Sequence, residues 1–361
     1  MNVARLLLCL VALGLVACGS PRGGAPGPAA SGASVPAGTP AAGDPALDAL
    51  YAAARQEGRV VAYFPNPPKF EAVKAAFERR YPGIAVDLVG VRPSEYVPRI
   101  NAEYASGQHV ADVAGVGGGT MLELVRNQWL VAWEPPDADQ LIDGAKQDDG
   151  LHWTYQVNVW GALVNTRLVP ADKIPTKKED LLDPYWRGDG KLLVEDPRSP
   201  GGASTFFGDT YRLYGRPFLE RFATQNPTYT RDYLSAPAQI ARGEFAMFVP
   251  QTVGEDASKV TAVAPVQLVL FQDSTDYAPI SLGILSQAPH PNAARLWAGF
   301  LFSEEGQLAF VEKSLQYGAR KGLPSPPGFP NLEGKTMVSL TREQTEHMDD
   351  LVRLYDEVLF R

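Results

Sequence analysis

Cysteine is scarce in this 361-residue chain, and its distribution excludes several kinds of site. The two cysteines, Cys9 and Cys18, both lie in the first 18 residues. The rest of the chain therefore has no disulfide, no cysteine nucleophile and no cysteine ligand for a metal. Histidine does not compensate, because the four histidines lack the H-x-x-x-H spacing of a helical metal site. They are His109, His152, His290 and His347. We predict no bound metal and no cofactor.

Sequence signatures of catalysis and of nucleic-acid binding are also missing. There is no G-x-S-x-G and no H-E-x-x-H. Glu304 and Glu305 are adjacent, so on a helix they point about 100° apart and cannot act as an acid/base pair. The net charge of −8 argues against nucleic acid as a partner. We predict that the protein is not an enzyme; an enzyme on the same scaffold remains an alternative, which turnover of a ligand would reveal.

The N-terminus has the layout of a secretory signal peptide. One basic residue, Arg5, precedes an apolar run over residues 6–17. This run is shorter than the roughly 20 residues that a membrane-spanning helix needs. Residues 15–18, Leu-Val-Ala-Cys, resemble the bacterial lipobox, in which the cysteine becomes the lipidated N-terminus. We predict a signal peptide at 1–17 and lipidation of Cys18; a signal peptide with an incidental cysteine is the alternative.

Residues 19–43 consist almost entirely of Gly, Ala, Pro and Ser, with one charge and no aromatic residue. Such a segment cannot bury enough apolar surface to offset the entropy lost on ordering. We therefore predict that residues 18–43 are a lipidated Cys and a disordered tether, with a reach of about 25–30 Å. An anchor followed by a tether predicts an extracytoplasmic protein, held at the bacterial membrane in the periplasm or on the cell surface.

The sequence of the remaining 318 residues predicts an α/β protein. Strands alternate with helices, which indicates right-handed βαβ units and a parallel sheet. Predicted helices cover 45–57, 69–80, 94–106 and a run from Met121, and predicted strands cover 60–64, 84–89, 111–116, 157–164 and 191–194.

Two predicted strands end in glycine-rich junctions that lead into helices, at 117–120 and 199–204. Neither the G-x-G-x-x-G nor the P-loop pattern is complete at 117–120. Backbone N–H groups at a helix start bind anions, and ligands of open α/β sheets lie beyond the carboxyl ends of the strands. One junction in each half of the chain predicts two lobes with a ligand between them. Tight turns without a ligand are the alternative.

Several motifs together resemble one protein family. They are Val-Asn-Thr-Arg-Leu-Val-Pro at 164–170, Asp-Leu-Leu-Asp-Pro-Tyr-Trp-Arg-Gly at 180–188, Ala-Pro-His-Pro-Asn-Ala-Ala at 288–294 and Phe-Leu-Phe-Ser-Glu-Glu-Gly-Gln at 300–307. They resemble the extracellular solute-binding proteins of bacterial ABC transporters, in the ferric-ion-type branch. The resemblance covers essentially all of 44–361.

The resemblance implies a type II periplasmic-binding-protein fold, with two α/β lobes joined by two hinge crossovers near 155–160 and 269–276. It places lobe 1 at 44–156 and 273–361 and lobe 2 at 157–272, with the helices from Asn292 onward returning to lobe 1. It also implies a monomeric protein that captures a small-molecule ligand and delivers it to an ABC permease in the membrane. A ligand sensor with the same fold is an alternative.

Ferric members of this family bind their metal through two adjacent tyrosines at the place that residues 249–252 occupy here. This chain has Val-Pro-Gln-Thr there and no adjacent tyrosine pair anywhere. Tyr229 and Tyr233 are four apart, but Pro227 and polar surroundings predict a loop. We therefore predict a small organic anion as the ligand, with ferric iron as the alternative.

The predicted ligand contacts are backbone N–H groups and hydroxyls at the two junctions, neutral amides that fix orientation, and two aromatic side chains. They are Asn66, Gly118, Gly119, Thr120, Tyr155, Gln156, Asn158, Ser199, Gly201, Gly202, Ala203, Ser204, Gln251 and Tyr277. Arg198 could add a positive charge beside the second junction.

Overall fold

The computed structural model describes residues 44–199 and 201–360. The predicted signal peptide, the lipidated cysteine and the tether lie outside the described residues. Within the described residues, no helix is both long enough and apolar enough to cross a membrane.

The helices, in chain order, are α1 Pro45–Glu57, α2 Glu71–Arg80, α3 Pro93–Ser106, α4 Gly118–Arg126, α5 Gly202–Ala223, α6 Ala236–Arg242, α7 Glu255–Thr261, α8 Pro291–Phe302, α9 Glu304–Ser314, α10 Arg342–Glu346 and α11 Met348–Leu359. The strands are β1 Arg59–Phe64, β2 Ala85–Gly90, β3 Val113–Gly117, β4 Leu130–Val131, β5 Lys146–Gln147, β6 His152–Asn165, β7 Leu192–Glu195, β8 Thr228–Thr230, β9 Met247–Thr252, β10 Val266–Val269, β11 Thr275–Leu285, β12 Tyr317–Gly318 and β13 Met337–Val338.

Local sequence signals explain where α1 begins and ends. Asp44 precedes it and accepts a hydrogen bond from the Ala46 N–H at 2.9 Å. Gly58 follows it with a φ of 73°, a left-handed conformation that glycine adopts without a steric penalty. The predicted bounds of 45–57 therefore match the observed helix.

The long strand β6 joins two groups of strands. The order along the sheet is β2-β1-β3-β11-β6-β9-β7-β8. Up to Val159, β6 pairs with β11, whereas from Trp160 it pairs with β9. We call the strands on the β11 side the first half, and β7 to β10 with the end of β6 the second half. The chain crosses back between β10 and β11, over residues 270–274.

Each half is a three-layer α/β/α arrangement with its own apolar core. In the first half, α1, α2, α8 and α9 cover one face of the sheet and α3 and α4 the other. In the second half, α5 and α11 cover one face and α6 and α7 the other.

The last helix differs from the expectation that the C-terminal helices return to lobe 1. Helices α8 and α9 do return to the first half, but α11 packs on α5 in the second. Its apolar residues recur with helical spacing, at Leu351, Tyr355, Val358 and Leu359. Gly208 on α5 permits this packing, because a Cβ there would lie 3.2 Å from the Leu351 side chain and 3.3 Å from the Tyr355 hydroxyl.

Candidate ligand-binding cleft

Two adjoining cavities lie where the halves meet. The first, of about 410 Å³, is lined by the start of α4 in the first half and by the start of α5 in the second. The second, of about 360 Å³, is lined by the loop after β1, the start of α5 and the end of β9. Asn158, Trp160 and Gly201 line both cavities, which are therefore contiguous.

The start of α4 offers an open positive helix end to the first cavity. Gly117 precedes the helix and has no side chain that could cap it. A Cβ added to Gly118 or Gly119 would meet no atom within 4 Å. Helix-start N–H groups carry partial positive charge, so this end can receive an acidic group. The helix begins at Gly118 rather than at the predicted Met121, which makes the glycines its first turn.

The start of α5 is organised differently. The Gly201 N–H donates to the Ser204 Oγ at 3.0 Å, and the Ala203 N–H donates to the Glu195 Oε2 at 3.2 Å. The expectation of free N–H groups is therefore wrong for Gly201 and Ala203, because the protein's own oxygen atoms accept their hydrogen bonds. A carboxylate already occupies the positive end of this helix.

Glu195, the last residue of β7, and Asp196, which follows it, have pKa values shifted in opposite directions. Burial raises the pKa of Glu195 to about 7, and the neighbouring Asp196 charge adds to this effect, while the Ala203 N–H opposes it. Hydrogen bonds from Arg198 lower the pKa of Asp196 to about 2. Arg198 also donates to Asp356 at 3.2 Å. The guanidinium group of Arg198 is thus engaged with carboxylates, and Arg198 is not among the residues that line the two cavities.

The second cavity is polar and contains charges of both signs. Gln251 is only 5% exposed, and its Nε2 donates to the Thr252 carbonyl at 2.9 Å. Burial lowers the pKa of Lys69, and the carboxylates of Glu255 and Asp256 oppose this effect.

Asp148, His152 and Arg342 line the first cavity and are linked by hydrogen bonds that the sequence analysis did not predict. Arg342 donates to Asp148 and, at 3.1 Å, to Glu346. The His152 Nε2 lies 3.1 Å from the Asp148 Oδ2. Burial lowers the pKa of His152, which favours the neutral ring. Because Arg342 is 194 residues from Asp148 in the chain, no local motif could have indicated this contact.

Most of the predicted contacts line the cleft. The first cavity includes Gly118, Gly119, Asn158, Gly201, Ser204 and Tyr277. The second includes Asn66, Asn158, Gly201, Gly202 and Gln251. Thr120 lines a third cavity beside the first, with Gly119 and Thr345.

Four of the predicted ligand contacts do not line any of these three cavities. Tyr155 is 1% exposed, and its ring packs in the core 5.7 Å from those of Phe70 and Phe310. Gln156 is buried and donates to the Asn158 Oδ1.

The other two lie beside α5. The Ser199 N–H donates to the Asp196 carbonyl at 3.2 Å, so Ser199 belongs to the turn before the helix. Ala203 is fully buried. Tyr155, Gln156 and Ala203 are thus buried parts of the fold, which the residue type alone could not show.

Gly202 permits a close approach between α5 and β6. A Cβ there would lie 2.4 Å from the Trp160 Nε1, so any larger residue would displace the indole. Trp160 lines both cavities, and Gly202 therefore sets the position of the wall that they share.

The described residues contain no group of three or more His, Cys, Asp or Glu side chains placed to hold a metal ion. His290 precedes α8, and its Nδ1 lies 2.9 Å from the Asp112 Oδ2. Tyr229 packs on Phe360 with ring centroids 4.4 Å apart, whereas Tyr233 is half exposed and lines the second cavity.

Comparison with known proteins identifies the same architecture. A family model described as bacterial extracellular solute-binding protein matches residues 62–308. The crystal structure of iron-bound HitA from Pseudomonas aeruginosa superposes with a TM-score of 0.66 at 19% identity, over 83% of this chain and 99% of that chain. AfuA from Actinobacillus pleuropneumoniae, with fructose-6-phosphate bound, superposes with a TM-score of 0.64 at 22% identity, over 84% of this chain and 99% of that chain.

A curated relative from Haemophilus influenzae, described as an uncharacterized protein, is 29% identical over 139 residues. This alignment covers 37% of the present chain and 39% of the relative, so it spans about two fifths of that protein. The structural matches confirm the predicted periplasmic-binding-protein fold.

Proposed function

Because the chain belongs to the bacterial extracellular solute-binding proteins, we propose that it captures a small organic anion between its two halves and delivers it to the permease of an ABC importer. Membership in this family supports a location outside the cytoplasm and a role in solute transport.

One observation carries this proposal. The first cavity is lined by Gly118 and Gly119 from the first half and by Ser204 and Thr205 from the second. A solute in this cavity touches both halves only when they face each other. Its binding energy therefore favours the closed arrangement over any arrangement that separates the halves.

The open start of α4 supports an anionic ligand. Its N–H groups face the first cavity at the positive end of a nine-residue helix, and no side chain caps them. Ser204 and Thr205 line the same cavity, but their hydroxyl groups donate to the Gly201 carbonyl at 2.9 and 3.1 Å, so the start of α4 supplies the free donors.

Ferric iron is the second candidate, because HitA is described as iron-bound. At 249–252, however, the end of β9 presents Gln251 and Thr252 to the second cavity in place of tyrosines. A neutral amide and a hydroxyl are poor substitutes for the charged, hard oxygen donors that suit Fe(III). This difference supports an organic anion over bare ferric ion.

A ligand screen tests the proposal. The Cys18→Ala variant is purified without lipid, and its thermal unfolding is followed with inorganic phosphate, phosphate esters, phosphonates, carboxylates, polyamines and ferric iron. An organic anion at a hundredfold excess over its Kd should stabilise the protein by about 2.7 kcal/mol. A coloured ferric complex with a phenolate charge-transfer band, or a preference for polyamines, would refute the anion assignment. Reconstitution with the permease separates an importer from a sensor.

The anchor and the division into lobes are part of the same proposal. Lobe 2 comprises 157–272 together with α11, and lobe 1 comprises 44–156 and the chain from 273 to α9. Lipidation of Cys18 holds the monomer beside the membrane through the tether. Cys18→Ala should move the protein from the membrane fraction to the soluble fraction. An unmodified mature N-terminus at another residue of the native protein would contradict lipidation.

A further inference from the structure

We infer that the ligand carries an ammonium group as well as its acidic group, and that the second cavity binds this ammonium group. The inference rests on the proposed function, since it assigns the opposite end of the same molecule. It changes the ligand class from a simple anion to a zwitterion.

Glu195 provides the first acceptor. It is 8% exposed, and its Oε2 accepts the hydrogen bond from Ala203. Its Oε1 accepts no hydrogen bond from the described residues and lies 3.5 Å from the place that a Cβ on Gly201 would occupy. Glu195 lines the second cavity and is absent from the lining of the first. Burial raises the pKa of Glu195 to about 7, so the ionised form predominates above that pH. This form accepts hydrogen bonds and donates none, and its free oxygen then suits a donor-rich group.

Gln251 provides the second acceptor. Its amide nitrogen donates a hydrogen bond to the Thr252 carbonyl, while its buried Oε1 has no hydrogen-bond partner among the described residues. An unsatisfied buried acceptor is unfavourable, and a donor supplied by a ligand would remove that cost. Because this side chain lines the second cavity, it is an independent indication that a donor group belongs there.

The charged residues around the second cavity also favour an ammonium group. Glu195, Glu255 and Asp256 line it, against a single basic residue, Lys69. Carboxylates in excess make the cavity unfavourable for an acidic group and favourable for a cation.

The two ends of such a ligand match the two cavities. The acidic end fits the start of α4, which no side chain caps, whereas the start of α5 already carries the Glu195 carboxylate. Asn158 and Trp160 line both cavities, so one small molecule can reach from one to the other.

Matched pairs of small molecules test the inference by titration calorimetry on the Cys18→Ala protein at pH 8, where Glu195 is ionised. The pairs are phosphoethanolamine with ethyl phosphate, taurine with ethanesulfonate, and γ-aminobutyrate with butyrate. In the best-binding pair, the amino compound should bind at least about tenfold more tightly than its partner. Glu195→Gln should reduce this preference to about threefold or less, by weakening the binding of the amino compound rather than that of its amine-free partner. Glu312→Gln, the same substitution at an exposed site on α9, should leave both affinities unchanged.

The outcomes separate the two proposals. If the amine-free partner binds as tightly as the amino compound, the ammonium site is refuted and the anion-binding function stands. If no member of any pair binds at millimolar concentration, the organic-anion function fails, and the zwitterion fails with it. The wild-type comparison needs no variant, so a Glu195→Gln protein that does not fold would leave the test intact.

Discussion

Removal of the buried amine of Lys178 should destabilise the connection between the two halves. Lys178 and Asp276 are both 0% exposed, and the Lys178 Nζ donates to the Asp276 Oδ1 at 2.7 Å. Asp276 lies at the start of β11, directly after the chain crosses from the second half to the first. The Asp276 Oδ2 has no partner among the described residues. Lys178→Met therefore leaves a buried carboxyl group without its counter-ion.

The magnitude depends on pH. Loss of one partner of a buried ion pair costs about 3–5 kcal/mol when the remaining group stays charged. Burial raises the pKa of Asp276 to about 7 even opposite Lys178, and without the lysine it should rise further. A neutral Asp276 loses only a hydrogen-bond partner, which costs about 1–3 kcal/mol. When the pKa of a carboxyl group is raised in the folded state, the free energy of unfolding falls as the pH rises through that pKa. The variant should therefore be destabilised more at pH 8 than at pH 5.5.

Urea unfolding of the wild type and the variant at pH 5.5 and pH 8, followed by tryptophan fluorescence, measures this cost. The double variant Lys178→Met/Asp276→Asn is the control, because it removes both charges and should recover much of the loss at pH 8. A cost below about 1 kcal/mol at both pH values, or no recovery in the double variant, would refute the role assigned to this pair.

Two further predictions concern α5. Between about pH 4.5 and 7, folded Glu195 holds a proton that the unfolded chain releases, so Glu195 should contribute a loss of up to about 3 kcal/mol of unfolding free energy over this range. In urea titrations Glu195→Gln should remove this share and leave the one that Asp276 contributes. A pH profile identical to that of the wild type would show that Glu195 does not titrate there. Gly202→Ala should displace the Trp160 indole, destabilise the protein by about 1–3 kcal/mol and weaken ligand binding. Tryptophan fluorescence measures the displacement, and calorimetry measures the affinity. Unchanged spectra and affinity would contradict the close packing of Gly202 on Trp160.

Local sequence signals were sufficient to predict many of the helices and strands of the first half. The bounds of α1 followed from Asp44 and Gly58, and α3 begins one residue before its predicted start. The glycine-rich junction at 117–120 was correctly placed between a strand and a helix, because glycine and helix periodicity are both local features.

Long-range contacts could not be predicted in the same way. Tyr155 had the residue type of a ligand contact, but packing among Phe64, Phe70 and Phe310 makes it core. Glu195 was overlooked, because only the folded structure brings this last residue of β7 to the start of α5. The partner of α11 was also missed, since an apolar stripe indicates burial without saying against what.

Gly119 offers the most direct test of the anion site. It is exposed, and a Cβ there would meet no atom within 4 Å, so the fold should accept a side chain. Gly119→Asp adds a carboxylate where the acidic group of the ligand should bind, and Gly119→Asn is its neutral match. An acidic residue at a helix start should not reduce stability.

Titration calorimetry of both variants, with the organic anion that stabilises the wild type most in the screen, gives the decisive comparison. The account predicts that Gly119→Asp binds this anion at least about tenfold more weakly than Gly119→Asn, a difference of about 1.4 kcal/mol. Equal affinities for the two variants would contradict an anion site at the start of α4.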